Sequence, residues 1–362
     1  MAEPQDGAIA PETIPIRADE DFDHARLAAY LRGRLPATEA PLAIVQFGGG
    51  HANLTYLLRY GEQEYVLRRP PLGPVAATAH DMGREYRVLS VLHRAYGLAP
   101  RAFLYCEDAG VIGAPFFVMQ RRRGVVVRQT IPPEFGGGAD ARANRRMSEA
   151  LVDALADLHQ VDYRAVDLAT LGRPEGFLRR QIDGWAQRYE RTKTRDLPLF
   201  GVLRDWLRAE QPPSPPPTLL HNDWRLDNVM LASDDPGRCV AVFDWDMCTL
   251  GDPLADLGTL LASWREAGED IGGMTAGSMP SHVPGFLARR EAVARYAARR
   301  GIDAEAVPFY SVFGLFKVAA VLQQIFHRYH VGQTQDARFA TFERVVESLF
   351  ERADERRRSR TL

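Results

Sequence analysis

Apolar and polar positions in the first third of the chain alternate in short runs that predict strands. LAIVQF leads into GGGHANLTYLLRY, and EYVLRR follows GEQ, so residues 41–69 are predicted to form strands with a hairpin. Apolar residues recur at near-helical spacing between residues 83 and 96, which predicts a helix there. VIGAPFFVMQRRRG contains a dense apolar run that predicts a buried strand. Strand-rich character therefore ends near residue 120.

Beyond about Arg142 the apolar positions follow a helical period. MSEALVDALADLHQ places apolar side chains on one stripe, and FYSVFGLFKVAAVLQQIFHRYH is the most apolar of the predicted helices. The prolines of QPPSPPPT predict a stiff connector that no helix crosses, and TLLH and CVAVFDW after it predict two short strands. A small strand-rich part followed by a larger helical part predicts an α+β protein.

These patterns divide the chain into four predicted segments. Residues 1–20 are predicted to be a flexible tail, and residues 21–120 a small first lobe that contains a glycine loop. Residues 121–350 are predicted to form a larger, mainly helical lobe. Residues 351–362, within ERADERRRSRTL, are predicted to be a charged tail.

Composition narrows the functional classes. Of 362 residues, 46% are apolar and 25% are charged, which is an ordinary globular balance, and the net charge of −2 does not predict binding to nucleic acid or membranes. No run approaches the roughly 18–20 apolar residues of a membrane span. The N-terminus lacks the features of a signal peptide. Cys106, Cys239 and Cys248 are too sparse for a disulfide framework, so a cytoplasmic location is predicted.

The segment HNDWRLDNVML carries the candidate chemistry. Apolar runs bracket His221, Asp223 and Asn228, and Asp244 follows sixteen residues after Asn228 at the end of the run VAVF. Phosphoryl transfer needs a carboxylate near the attacking hydroxyl group and oxygen ligands for a hard cation. An aspartate followed five residues later by an asparagine supplies both groups. The alternative is a loop of turn-forming residues that cap helices.

Two motifs together resemble a known family of phosphotransferases. HNDWRLDNVML and AVFDWDMCTLGDPLADLG are similar to the catalytic and metal-binding motifs of the aminoglycoside phosphotransferase and choline kinase-like family. REYRVL, the LH of LADLHQVD, GDPLADL and IFHRYHVGQ resemble the branch that also occurs fused to acyl-CoA dehydrogenases. The resemblance covers residues 40–345. It implies a protein-kinase-like bilobal fold, with a small antiparallel-sheet N-lobe, a mainly helical C-lobe and ATP in the cleft between them.

The resemblance assigns roles to the residues of the second lobe. It makes Asp223 the catalytic base, and it makes Asn228 and Asp244 the ligands of Mg²⁺. His221 is expected to brace the catalytic loop, and Arg225 to support it in a role that the pattern does not define. Two further aspartates match the family pattern and are interpreted as mainly structural, namely Asp252 and Asp256.

The resemblance also places nucleotide-binding groups in the first lobe. Gly48, Gly49 and Gly50 would let backbone N–H groups approach the ATP phosphates, although a flexible turn is the alternative. Arg68 stands where protein kinases carry a lysine, and Glu85 is its expected partner; two exposed surface charges are the alternative. The connector strand is expected to contact adenine through three residues, namely Met119, Gln120 and Arg121, with core packing as the alternative for Met119.

The acceptor of the phosphoryl group is predicted to be a small molecule. Asp244 is followed almost at once by MCTLGDPLADLG, so no long activation segment separates it from the helical core, and little room is left for a peptide-docking platform. The pocket is expected between the loop of residues 264–286 and one face of the most apolar helix, although core packing explains the same residues: Tyr310, Phe313, Lys317, Gln324 and Arg328.

Relatives of the branch suggest a hydroxyacyl compound or its coenzyme A thioester as the acceptor. A catalytically silent nucleotide-binding scaffold is the main alternative function, because an arginine replaces the usual kinase lysine. An aminoglycoside-type antibiotic kinase and a metal-dependent phosphatase are the lesser alternatives.

Overall fold

The chain divides into two compact units, Met1–Arg122 and Arg123–Leu362. The computed structural model describes residues 12–48, 53–71, 81–269 and 278–362. Residues 1–11 of the predicted tail, together with Gly49 and Gly50 of the predicted glycine loop, lie outside these ranges.

Unit 1 is built on an antiparallel sheet. Among its described residues the strands are β1 (Thr13–Ile14), β2 (Leu42–Phe47), β3 (Leu54–Tyr60), β4 (Gln63–Arg69), β5 (Ala102–Cys106) and β6 (Phe116–Gln120), in the order β1-β2-β3-β4-β6-β5. The β3–β4 turn contains Gly61 at φ +60°, a left-handed conformation that glycine adopts readily. The predicted hairpin is therefore present.

Two helices among the described residues of unit 1 lie against this sheet, and each begins at an aspartate. Asp23 accepts a hydrogen bond from Arg26 N at the start of α1 (His24–Leu31), and Asp81 accepts one from Arg84 N at the start of α2 (Met82–Leu92). Such caps satisfy N–H groups that have no partner inside the helix. The predicted helix over residues 83–96 is α2, which ends at Leu92. The apolar face of α1 packs on strand residues of one core cluster, including Tyr56, Leu58 and Leu67.

The last residues of the predicted N-terminal tail pack against the sheet. Thr13 and Ile14 pair with the end of β2, and residues 18–20 form a short 3₁₀ helix. The carbonyl oxygen of Glu20 accepts hydrogen bonds from the Tyr56 hydroxyl group at 2.7 Å and from Arg69 Nη2 at 2.5 Å. Strand pairing and these two bonds order a segment whose composition alone predicts flexibility.

Unit 2 is mainly helical. Its described helices are α3 (Ala141–Leu158), α4 (Phe177–Thr192), α5 (Pro198–Ala209), α6 (Pro253–Ser263), α7 (Arg289–Arg300), α8 (Val307–His330) and α9 (Phe342–Ser359). Its described strands are β7 (Val125–Val126), β8 (Thr218–Leu220), β9 (Val229–Ala232), β10 (Asp235–Val242) and β11 (Thr249–Gly251), in two small sheets ordered β10-β9-β7 and β11-β8. The two strands predicted after the prolines correspond to β8 and β10.

In two helices of unit 2, α8 and α9, tertiary packing decides the environment of segments whose sequence fits more than one structure. Helix α8 is long and apolar enough to cross a membrane, but 78% of its most apolar window is buried inside the protein, as in a core helix. Helix α9 continues to Ser359, through most of the predicted charged tail. Within it, Ala353 and Arg356 are buried, and Arg356 donates a hydrogen bond to Ser311 Oγ at 2.5 Å. Packing against α8 therefore orders this charged segment.

Candidate active site

The loop between β8 and β9 is held from behind by one buried carboxylate. Asp256 on α6 accepts a hydrogen bond from His221 N through Oδ2 and another from Asn222 N through Oδ1, both at 2.7 Å. His159, at the end of α3, lies 3.3 Å from the same Oδ2 atom and 2.6 Å from the Tyr296 hydroxyl group. Asp256 therefore fixes the backbone of the two residues that precede Asp223, which is a structural role.

His221 is fully buried beneath this loop. Its Nε2 atom lies 2.8 Å from the carbonyl oxygen of Phe243, and its Nδ1 atom accepts a hydrogen bond from Asp223 N at 3.2 Å. This pattern assigns the proton to Nε2, because a carbonyl oxygen can only accept. The ring thus connects the backbone of Asp223 to Phe243, the residue that follows β10, and its role as a brace of the loop stays a prediction.

The structure brings Asp223 and Asn228 into direct contact. The Asn228 amide nitrogen donates to the Asp223 carbonyl oxygen at 2.8 Å and to Asp223 Oδ2 at 2.9 Å. The Asn228 carbonyl oxygen accepts a hydrogen bond from Phe243 N at 2.9 Å, one residue before Asp244. Asp244 itself has φ +66°. Hydrogen bonds therefore connect Asp223 to Asn228, and Asn228 to the residue that precedes Asp244.

The donor chemistry of this region fits Mg²⁺. No cluster of three or more His, Cys, Asp or Glu side chains suited to a metal ion occurs in the described ranges. Because the Asn228 amide nitrogen is engaged by Asp223, its amide oxygen is the side-chain atom that remains to bind a cation. Mg²⁺ is commonly held by one or two protein carboxylates together with water and substrate phosphates. One carboxylate and one amide oxygen match that pattern better than they match a closed zinc site.

Arg225 is ion-paired within the loop. Its guanidinium group is bonded to both carboxylate oxygens of Asp227, and Nε lies 4.0 Å from Asp223 Oδ1. Burial lowers the pKa of Arg225, but Asp223, Asp227 and Asp244 more than offset that effect and raise it overall. A fixed cation therefore lies beside the proposed base and metal ligands.

Lys317 on α8 is a second cation at the loop and is buried, and the sequence placed it only on a candidate acceptor face. Its Nζ atom donates to the carbonyl oxygen of Asn222 at 2.5 Å and lies 3.4 Å from Thr259 Oγ1. Burial lowers the pKa of Lys317, whereas Asp256 and Asp223 act in the opposite direction. The Asn222 residue is thus held at its N–H group by an anion and at its carbonyl group by a cation.

The candidate nucleotide residues of unit 1 include a buried ion pair. Arg68 on β4 lies 2.5 Å from Glu85 on α2, and both side chains are at least nine-tenths buried. The alternative of two exposed surface charges is therefore wrong. Arg69 points to the opposite face of β4 and donates to the carbonyl oxygen of Ile112, as strand alternation predicts.

The other candidate nucleotide residues of unit 1 that the structure describes are Gly48, Met119, Gln120 and Arg121. Gly48 N donates to the carbonyl oxygen of Glu12 at 3.3 Å. Met119 is buried in β6, and Gln120 N donates to the carbonyl oxygen of Arg101 at 2.8 Å. Arg121 is paired with Glu12 and lies over the Phe47 ring.

Sequence comparison shows a family relationship over most of the chain. The model of the "Phosphotransferase enzyme family" matches residues 43–306. The chain is 32% identical over 357 residues to acyl-CoA dehydrogenase family member 11 from Gallus gallus, and the match covers 95% of this chain. The chain spans only 45% of that relative's length. The similarity to the branch associated with acyl-CoA dehydrogenases is therefore confirmed.

Structural comparison identifies the fold. A putative aminoglycoside phosphotransferase from Ralstonia eutropha JMP134 has a TM-score of 0.77 and 29% identity, and the match covers 92% of this chain and 99% of that one. Choline kinase from Cryptosporidium parvum Iowa II has a TM-score of 0.61 and 11% identity, with 93% and 96% covered. These similarities confirm the predicted α+β fold of the protein-kinase-like class.

Proposed function

The chain belongs to the phosphotransferase enzyme family and is a small-molecule kinase, and from that premise we propose that it transfers the γ-phosphoryl group of ATP to a hydroxyl group, with Mg²⁺. The observation that carries this proposal is the bonded arrangement of Asp223, Asn228 and the residue preceding Asp244. We further propose a hydroxyacyl compound or its coenzyme A thioester as the acceptor, since the curated relatives bear an acyl-CoA dehydrogenase name.

Asp223 is proposed to be the general base. As the acceptor oxygen forms a bond to the γ-phosphorus atom, the bond to the β,γ-bridging oxygen breaks and ADP leaves. The proton of the acceptor hydroxyl group passes to a carboxylate oxygen of Asp223. Asn228, bonded to Oδ2, and His221, bonded to the backbone N–H group, orient this carboxylate. Positioning of this kind contributes a large part of the rate in phosphoryl transfer.

Asn228 and Asp244 are proposed to hold Mg²⁺ through the amide oxygen and the carboxylate. Bound there, the ion would neutralise charge on the phosphate oxygens. Arg225 would hold the carboxylates of Asp223 and Asp227 in place when no substrate is bound, because it is paired with Asp227 and lies close to Asp223.

Unit 1 is proposed to bind the nucleotide. Glu85 holds Arg68 in place, and a guanidinium group binds phosphate oxygens in a bidentate manner that lysine cannot reproduce. Gly48, Gly49 and Gly50 are proposed to contribute backbone N–H groups. Because Gln120 N is bonded to Arg101, we expect the adenine contact to use the backbone of Arg121. Met119 is proposed to lie behind the base.

Replacing the base tests the proposal. Asp223→Asn keeps the shape of the side chain and removes its basicity, so phosphorylation should fall by about 10²- to 10⁴-fold. The measurement is formation of phosphorylated product from Mg-ATP and a panel of hydroxylated metabolites. Asp234→Asn is the matched control, because Asp234 is an exposed aspartate in the turn between β9 and β10, and its activity should equal that of the wild type.

Equal product formation by wild-type protein and Asp223→Asn would refute the assignment of the base. Nucleotide binding without transfer to any panel member would instead support the scaffold alternative.

A further inference from the structure

Trp185 on α4 lies between two cations of unit 2. The indole ring is buried, and its Nε1 atom donates to Gln181. The guanidinium carbon of Arg188, one turn further along α4, lies 4.6 Å from the ring centroid. Lys317 Nζ on α8 lies 5.8 Å from the same centroid. Both distances are within the range of cation–π contacts, so the ring fixes two positive charges at one place.

This cationic cluster of Trp185, Arg188 and Lys317 is joined to the catalytic loop. Lys317 Nζ donates to the carbonyl oxygen of Asn222, the residue before Asp223. Asp223 and Lys317 also interact electrostatically. A path of contacts, each shorter than 6 Å, therefore leads from the residue before the proposed base to Arg188.

Within the described ranges, the guanidinium group of Arg188 has no carboxylate or hydrogen-bond partner. Other arginines of α4 are engaged, since Arg179 is paired with Asp183 at 2.9 Å and Arg191 is bonded to Gln187. The Arg188 side chain is exposed, and partial desolvation of its guanidinium group, followed by repulsion from Arg191, lowers its pKa. Repulsion from Arg188 also contributes to the lowered pKa of Lys317. The cluster thus presents positive charge that is partly desolvated and not neutralised at its exposed end.

We propose that Arg188, held against Trp185 and supported by Lys317, binds an anionic group of the hydroxyl acceptor. This inference rests on the proposed function and specifies its substrate class. The group would be an oxyanion, either a carboxylate or a phosphate ester, which a guanidinium fork binds through two hydrogen bonds. Amino alcohols and polycationic antibiotics would be repelled by the same two charges, so the cluster selects against the cationic acceptors of related kinases.

A binding experiment tests the site without any turnover. Wild-type protein, Arg188→Met and Arg188→Lys are titrated with inorganic phosphate and with succinate at constant ionic strength, and the melting temperature is recorded. Arg179→Met is the matched control, because it removes the same charge from another exposed position of α4, where the arginine is paired with Asp183 and does not contact Trp185. We expect saturable stabilisation of the wild type and the control, and half-saturation at least 10-fold weaker in Arg188→Met. Arg188→Lys should recover part of the affinity.

An identical response of wild type, Arg188→Met and Arg179→Met would overturn the proposal, as would the lack of a saturable response in the wild type.

A turnover experiment distinguishes the two sources of the anion. The candidate acceptors have the same hydroxylated carbon chain and differ only in the group at its end, which is a carboxylate, a phosphate ester, an amide or an amine. We expect kcat/KM to be at least 10-fold higher for one anionic member than for the amide. Arg188→Met should lower only that value, by about 10- to 100-fold, because one charge-assisted hydrogen-bonded contact is lost.

A preference for the amine or the amide, or equal losses for all members in Arg188→Met, would refute the site. If no member is phosphorylated by the wild type, the proposed transfer reaction has failed, whereas the titration still decides whether Arg188 binds an anion.

Discussion

At the scale of single residues, the candidate site contains two non-glycine residues in left-handed backbone conformations. Asn222 has φ +69° and Asp244 has φ +66°. Such conformations cost on the order of 1–3 kcal/mol each and persist where surrounding bonds enforce them. Asp256 and Lys317 hold the Asn222 backbone from its two ends, and His221 bonds to the carbonyl group just before Asp244. The strain therefore lies beside the proposed base and at a proposed metal ligand.

His159 makes stability depend on pH. Burial lowers its pKa below the ordinary value of 6.5, although Asp256 opposes this effect. The folded state therefore resists a proton that the unfolded chain accepts, and the free energy of unfolding should fall as the pH drops below about 6.5. Urea midpoints at pH 7.5 and pH 5.5 should show a smaller decrease for His159→Gln than for wild type.

The control for this prediction is His24→Gln, at an exposed histidine of α1, which should keep the full decrease. His282, whose pKa burial also lowers, is present in all three proteins and cancels in the comparison. Equal decreases for wild type and His159→Gln would show that His159 does not cause the pH dependence.

At the scale of elements, α6 and α8 hold the catalytic loop from two sides. Helix α6 supplies Asp256, and helix α8 supplies Lys317. The two helices approach closely because glycines occupy their crossing. A Cβ atom on Gly258 would lie 2.1 Å from the carbonyl oxygen of Tyr310, and one on Gly314 would lie 2.0 Å from the carbonyl oxygen of Gly258. The close crossing therefore keeps Asp256 and Lys317 within hydrogen-bonding distance of Asn222.

Gly258→Ala should separate α6 from α8. Its Cβ atom would collide with backbone, which cannot rotate away, so we expect a loss of about 1–3 kcal/mol or more in the free energy of unfolding. Gly201→Ala on α5 is the matched control, because no atom lies within 4 Å of its Cβ position. That change should stabilise by roughly 0.5–1 kcal/mol through helix propensity. Urea denaturation measures both values, and similar values for the two variants would contradict the close crossing.

At the scale of the whole molecule, the proposed ligands should stabilise the folded chain. Binding to the native state alone adds about 2.7 kcal/mol to the free energy of unfolding at a ligand concentration of 100 Kd. Unit 1 carries the proposed phosphate-binding residue Arg68, whereas unit 2 carries the proposed metal ligand Asp244. Stabilisation by ATP and its increase with Mg²⁺ should therefore respond to different substitutions.

Asp244→Asn should remove the Mg²⁺-dependent part of the stabilisation by ATP and keep the rest. Thermal melts with ATP and EDTA, and with ATP and excess Mg²⁺, measure the two parts separately. Arg68→Met should weaken both, since it removes the proposed phosphate contact. Asp234→Asn should behave like the wild type. A full Mg²⁺ response in Asp244→Asn would exclude this residue as a ligand.

The sequence by itself determined the parts of this protein that are encoded locally. Strand alternation predicted the β3–β4 hairpin, helical periodicity predicted α2 and α3, and the kinase resemblance paired Arg68 with Glu85. His221, Asp223 and Asn228 also lie within one loop, so their spacing could be read from the sequence. Such features depend on neighbours a few residues apart or on a recognisable motif, so they can be predicted before folding is considered.

Only the tertiary structure decided what surrounds that loop. Asp256 and Lys317 bond to Asn222 across separations of 34 and 95 residues, and Trp185 on α4 contacts Lys317 on α8. Periodicity predicts whether a face is buried, but it does not predict which distant group the face meets. For the same reason, Arg356 in the charged C-terminal segment is buried, because α8 supplies Ser311 as its partner. Long-range packing therefore determines the electrostatics of the site, while local sequence determines its reactive groups.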